Sequence, residues 1–96
     1  MSVVTLTRFR IDPADAAELR LRHAALVSAI RSAAPGLAEA RLGKLDDETW
    51  IGIWRWESTE GLRAAREIAP ARPESTAAFS LARDVTVEQM EIIDEG

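Results

Sequence analysis

Apolar residues along this chain follow two periods, one typical of β-strands and one typical of helices. The segment 50–56, Trp-Ile-Gly-Ile-Trp-Arg-Trp, holds all three tryptophans. Successive side chains of a strand point to opposite faces of the sheet, so the tryptophans share one face and Ile51, Ile53 and Arg55 share the other. A strand that is apolar on both faces predicts a sheet that needs protein on both sides.

Three further segments, 3–11, 37–45 and 85–93, have the alternation of strands, and helices are predicted between them. Asp12-Pro13 is a typical helix start, with an aspartate cap followed by proline. This helix is expected to run to about Ala34 and to present one apolar stripe, formed by Leu19, His23, Leu26, Ile30 and Ala33.

The second half of the chain predicts another helix, capped by Ser58 and ended by Pro70, and a short extra helix at about 74–82. The element order is then β-α-β-β-α-β. This order predicts an α+β, ferredoxin-like fold, a four-stranded antiparallel sheet with helices on one face. We expect residues 1–96 to form a single domain, and a second copy of the chain to cover the bare sheet face in a homodimer.

Charge and composition exclude several classes of protein. The net charge is −4 and basic and acidic residues are interleaved, which argues against a nucleic-acid partner. The absence of cysteine excludes disulfides and thiolate metal sites. No apolar run has the length of a membrane span, and the first residues do not follow the pattern of a secretion signal. We therefore expect a cytoplasmic protein without a membrane partner.

Three short segments carry a resemblance to a known family: the first strand with Asp12-Pro13, the turn at 35–37, and the helix opening at 56–58. With these, the chain resembles the antibiotic-biosynthesis-monooxygenase-like family of dimeric α/β barrels from about residue 3 to residue 93. The resemblance implies two subunits packed sheet against sheet, with a pocket between the sheet and the helices of each. Members include cofactor-independent oxygenases of aromatic polyketides or quinols, and haem-degrading enzymes.

The chain departs from both known sets of active-site residues in that family. Haem-degrading members resemble one another in an asparagine, a tryptophan and a histidine ligand, whose places here are taken by Thr7, Ala65 and the neighbourhood of Glu74–Ser75. Quinone-forming oxygenases are associated with asparagine, tryptophan and tyrosine, whereas this chain has neither asparagine nor tyrosine. Haem binding is therefore the weakest of the functions that the resemblance allows.

His23, the only histidine, is the candidate catalytic residue. Its place on the helix stripe predicts that it reaches the pocket wall, where it would act as a base toward a phenolic hydroxyl. The alternative is a structural histidine, satisfied by a neighbouring hydroxyl or carboxylate. One histidine with scattered carboxylates matches no ligand spacing, so no metal site is expected.

Four further residues are candidates for substrate binding. Trp54 and Trp56 would stack on a flat ring, with Phe79 as a further wall and Thr7 as a small hydrogen-bonding group. Gly52 leaves room between the tryptophans. Core packing is the alternative, above all for Trp56, and Phe79 would then anchor the short helix.

Together these features predict a cofactor-independent monooxygenase that acts on a small aromatic or quinol-type molecule. In this scheme His23 takes the hydroxyl proton and the resulting anion reacts directly with oxygen, so neither flavin nor metal is required. The alternative is a non-catalytic dimeric module of the same fold that binds a small molecule or a partner, which the lack of asparagine and tyrosine favours.

Overall fold

The computed structural model of the protein describes residues 2–95. The described chain has four strands: β1 (Val3–Arg10), β2 (Leu37–Lys44), β3 (Thr49–Trp56) and β4 (Arg83–Glu91). It has three α-helices: α1 (Ala16–Ala33), α2 (Thr59–Ile68) and α3 (Pro73–Phe79). Single 3-10 turns at Pro13–Asp15 and Ala69–Ala71 precede α1 and α3. The predicted α+β, ferredoxin-like order with one extra short helix is confirmed.

The strands form one antiparallel sheet in the order β2-β3-β1-β4. Thr5 pairs with Trp54 and Thr7 pairs with Gly52 across the two central strands. Residues directly opposite each other in an antiparallel pair have their side chains on the same face. This register therefore gathers the small threonines and the tryptophans of β3 on the face that the helices cover.

Two buried clusters join the helices to the sheet. One lies under α1 and α2, and includes Ile30, Leu62 and Trp56. The other lies at the opposite end of the sheet and consists of Phe9, Ile11, Leu19 and Trp50. Each cluster packs against one end of α1, and a cavity remains between the two clusters.

The boundaries differ from the predicted ones where tertiary pairing decides them. The last strand occupies 83–91 rather than 85–93, because Val3 pairs with Glu91 and Arg10 pairs with Arg83. The short helix ends at Phe79 instead of 82, since the chain must turn there to enter β4. On α1, Ala33 is exposed and Ala34 is buried, because a step of four residues from Ile30 returns to the inner face.

The second face of the sheet has no helix over it within residues 2–95. An apolar band crosses this face, formed by Val4, Leu6, Ile51, Ile53 and Met90. Ile53 is 40% exposed and Met90 is 46% exposed. Arg55 lies on the same face and its Nη2 donates a hydrogen bond to Glu39 Oε1 at 3.2 Å. This arginine is therefore paired within its own chain, at the edge of the band.

The start of β2 and the start of α2 are joined by a close backbone contact. Glu57 N donates a hydrogen bond to Gly36 O at 2.9 Å, and Ser58 Oγ caps α2 by accepting from Gly61 N at 3.1 Å. A Cβ atom on Gly36 would lie 3.1 Å from Gly61 Cα. Two of the three segments that carried the family resemblance thus meet in space, and glycine is needed where they touch.

Replacing Gly36 with alanine should destabilise the fold, because the new methyl group would press on the backbone of Gly61. We expect a loss of about 1–2 kcal/mol in the free energy of unfolding, measured by urea denaturation. Gly43→Ala is the matched control, since a Cβ at Gly43 meets nothing within 4 Å. Equal denaturation midpoints for the two variants would contradict this account of the junction.

Candidate functional site

A cavity of about 170 Å³ lies between the sheet and the helices. Its floor comes from β1 and β3, its walls from α1 and α2, and its remaining side from α3 and the residues next to it. Apolar side chains make up most of the lining. All five residues predicted from the sequence border this one cavity, namely Thr7, His23, Trp54, Trp56 and Phe79. Their placement in one site is thus observed, while their roles stay predictions.

The floor of the cavity exists because β1 and β3 offer small residues at its centre. Thr7 and Gly52 face each other across the two strands. A Cβ atom on Gly52 would be 3.8 Å from the indole nitrogen of Trp54 and 3.9 Å from Thr7 Cβ, which are ordinary contact distances. Steric strain therefore does not require glycine at this position. The effect of Gly52 is to leave space at the floor of the cavity.

His23 and Trp54 are hydrogen-bonded to each other at the cavity wall. Trp54 Nε1 donates to His23 Nε2 at 3.2 Å, and the two rings meet edge to face with centroids 5.8 Å apart. Because Nε2 accepts this bond, the neutral imidazole carries its proton on Nδ1. The sequence predicted a hydroxyl or a carboxylate as the partner of a structural histidine, whereas the observed partner is the indole N–H of Trp54.

Burial lowers the pKa of His23 below its ordinary value of 6.5, because the charged imidazolium loses solvation. The hydrogen bond from Trp54 acts in the same direction, since it stabilises only the neutral ring. His23 is accordingly neutral at pH 7. The lone pair of Nε2, which would accept a proton, accepts the hydrogen bond from Trp54 instead.

The two tryptophans that border the cavity differ in how much of their ring surface a ligand can contact. Trp56 is 3% exposed, belongs to the buried core, and its Nε1 donates to Thr5 Oγ1 at 3.4 Å. Trp54 is only partly buried, with its ring centroid 6.1 Å from that of Trp56. Trp56 therefore serves as a fixed wall, and Trp54 is the aromatic ring more available to a ligand.

Phe79 lies on α3 and is 45% exposed although it borders the cavity, so it stands at an opening to solvent. The position of α3 is fixed by Arg22, which the sequence did not single out. Arg22 Nη1 donates to Ala77 O at 2.8 Å and to Ser80 Oγ at 3.1 Å. Its Nε also donates to Glu18 Oε1 at 2.8 Å, so α1 holds α3 over the cavity.

Sequence reasoning missed three polar residues at the cavity: Thr5 on β1, Arg66 on α2 and Ser75 on α3. A signal for Arg66 was present. It follows buried Leu62 by four residues, a spacing that returns to the same side of a helix. Ser75 had no such signal, because the inner side of a helix as short as α3 depends on where Arg22 holds it.

The site does not suit a metal ion or haem. Within residues 2–95, no group of three or more histidine, cysteine, aspartate or glutamate side chains is placed to hold a metal. A cavity of about 170 Å³ is close to one benzene ring in capacity, far below a porphyrin. No helix of the described part of the chain is long and apolar enough to cross a membrane.

The chain matches solved structures of the same fold at low sequence identity. SnoaB from Streptomyces nogalater, a cofactor-independent oxygenase, is 20% identical, with 98% of this chain and 95% of that chain covered and a TM-score of 0.77. Rv0793 from Mycobacterium tuberculosis is 23% identical, with 99% and 98% covered and a TM-score of 0.69. No curated protein matches the chain.

A family model gives the stronger assignment. The model described as antibiotic biosynthesis monooxygenase matches residues 2–72, which hold β1, α1, β2, β3 and α2. The matched part contains most of the cavity lining, including His23 and Trp54. Because the match spans most of its length, the chain belongs to the antibiotic biosynthesis monooxygenase family.

Proposed function

We propose that the protein is a cofactor-independent monooxygenase that oxidises a small aromatic or quinol-type molecule bound between the sheet and the helices. The observation that carries this proposal is an apolar, aromatic-walled cavity with a neutral histidine in its wall. An engineered cavity of similar size, roughly 150 Å³, binds benzene. A ligand of this site therefore places one ring inside, and any further ring extends past Phe79 to the outside.

In the proposed reaction, His23 removes the proton of a phenolic hydroxyl. The hydroxyl takes the place of the Trp54 N–H as the donor to Nε2, and the neutral ring then accepts the proton. The phenolate gives four electrons to O₂ in total. One oxygen atom becomes the new carbonyl of a quinone at the ring carbon that loses its hydrogen, and the other leaves as water.

The protein is further proposed to act as a homodimer joined through the bare sheet faces. The apolar band of Val4, Leu6, Ile51, Ile53 and Met90 supports this, because a sheet that is apolar on both faces is stable only when both are covered. A second copy offers the same band in return, so the two faces match by symmetry. The cavity lies on the opposite side of each sheet and stays accessible.

A non-catalytic binding module of the same fold is the second candidate. It is favoured by the hydrogen bond that occupies His23 Nε2 and by the lack of asparagine and tyrosine for orienting a substrate. Such a protein would bind the same aromatic ligands in the same cavity and leave them unchanged.

Oxygen uptake with a panel of hydroquinones separates the two candidates. His23→Ala should lower turnover about 100-fold or more, as expected for loss of a general base, while ligand affinity measured by calorimetry changes little. Ser28→Ala, an exposed change on the same helix, is the control and should keep full activity. Binding without oxygen uptake by the unaltered protein would support the binding module instead.

Trp54→Phe should raise the pKa of His23, because the variant keeps an aromatic wall and removes the N–H that favours the neutral ring. A base must be neutral to act, so activity falls as the pH drops through this pKa. The acid side of the kcat/KM profile should therefore move to higher pH in the variant, in parallel with the His23 titration followed by NMR. An unchanged titration would contradict the part assigned to the Trp54 bond.

Ile53→Glu should convert the dimer to a monomer, because it places a charge in the middle of the apolar band. Leu21→Glu is the matched control: Leu21 is 68% exposed on α1, away from that face. Sedimentation velocity at micromolar concentration should show a dimer for the unaltered protein and for the control. A folded monomer in the unaltered protein would refute the proposed dimer.

A further inference from the structure

Arg66 is the charged group of the cavity lining in the described chain. The other residues around the cavity are apolar, hydroxyl-bearing or, for His23, neutral at pH 7. Arg66 lies in the last turn of α2 and is exposed on its outer side. Arg66 therefore borders the cavity from a solvent-exposed position at its rim.

No carboxylate within residues 2–95 forms an ion pair with Arg66. Its neighbours three and four residues away, on α2 and on the 3-10 turn that follows it, are Leu62, Arg63, Ala69 and Pro70. One of these is a second cation and none is an acid. Glu74, at the start of α3, is paired with Arg72 at 3.9 Å. The positive charge at the cavity rim is thus not neutralised by the chain itself.

Ser75 adds a hydroxyl to the side of the cavity that α3 forms. It is only 9% exposed and borders the cavity from α3. Its backbone N–H donates to Arg72 O at 3.1 Å, but its hydroxyl takes part in none of the side-chain hydrogen bonds of the described residues. In the described chain the buried side-chain atoms that lack a partner are on Trp50, Arg72 and Glu74, not on Ser75, so the Ser75 hydroxyl keeps some accessibility and is available to a ligand.

From these two residues we infer that the cavity recognises an anionic aromatic compound, a single ring that carries a carboxylate, with Arg66 and Ser75 as the anion subsite. This inference rests on the proposed function for the site itself. A guanidinium offers two parallel N–H donors that match the two oxygens of a carboxylate. The rim position leaves the carboxylate partly solvated, so the ring can enter the apolar space without burying the charge.

The subsite lies on α2 and α3, whereas His23 projects from α1. Binding of the carboxylate at Arg66 therefore fixes the orientation of the ring from the α2–α3 side of the cavity. The hydroxyl that reacts is the one that reaches His23 on the α1 side. This arrangement favours dihydroxybenzoate-type ligands over neutral hydroquinones of the same size.

Calorimetric titration with a matched pair of ligands tests the inference: 2,5-dihydroxybenzoate and 1,4-hydroquinone, which differ by the carboxylate alone. The unaltered protein should bind the acid about tenfold more tightly or better, the increment typical of a hydrogen bond to a charged group. Arg66→Gln should abolish this preference and leave the affinity for hydroquinone unchanged. Ser75→Ala should reduce the preference by a smaller factor.

Arg63→Gln is the matched control, because it removes the same charge from the same helix at an exposed position outside the cavity lining. It should keep the preference for the acid. Equal binding of the two ligands by the unaltered protein, or equal losses in the Arg63 and Arg66 variants, would overturn the anion subsite and leave the proposed aromatic site standing. Failure of both ligands to bind would instead overturn the proposed function as well.

Discussion

A four-stranded sheet has two faces, and this chain supplies helices for one of them. The β3 strand makes this constraint severe, because its tryptophans need cover on the inner face and its isoleucines need cover on the outer face. The helices α1 and α2 meet the first need by burying Trp56 and Trp50 at the two ends of the sheet. The outer face keeps an apolar band, which a second copy of the chain is proposed to cover.

The cavity follows from the same arrangement. Large side chains at both ends of the covered face keep α1 away from the sheet, while Thr7 and Gly52 at the centre are too small to fill the gap. An apolar hollow with a few polar groups is the usual form of a small-molecule site. Here those groups come from separate elements, with His23 on α1, Arg66 on α2 and Ser75 on α3.

The fold could be predicted from the sequence because its signals are local. Strand alternation, the Asp12-Pro13 helix start and the turn at 35–37 are each decided within a few residues. Features that depend on distant partners were not predictable in this way. The ends of β4 are set by pairing with β1.

The same distinction between local signals and distant contacts applies to the candidate site. The inward direction of His23 followed from helical spacing, but its hydrogen bond to Trp54 joins residues 31 positions apart and had no signal in the sequence. Arg66 was visible in principle, four residues after Leu62, and was missed because arginines are abundant in this chain and mostly lie at the surface. Ser75 depends on the placement of α3 by Arg22, which is a tertiary contact.

The claim that an aromatic ligand enters the space between sheet and helices is tested most directly by the indole N–H signals of the three tryptophans in NMR spectra. Trp54 and Trp56 border the cavity, whereas Trp50 is buried in the other cluster and does not. During titration with an aromatic ligand, the account predicts a saturable shift of the Trp54 signal, because the ligand displaces its bond to His23, and an unchanged Trp50 signal. A ligand that binds without moving the Trp54 signal, or that shifts all three equally, would contradict it.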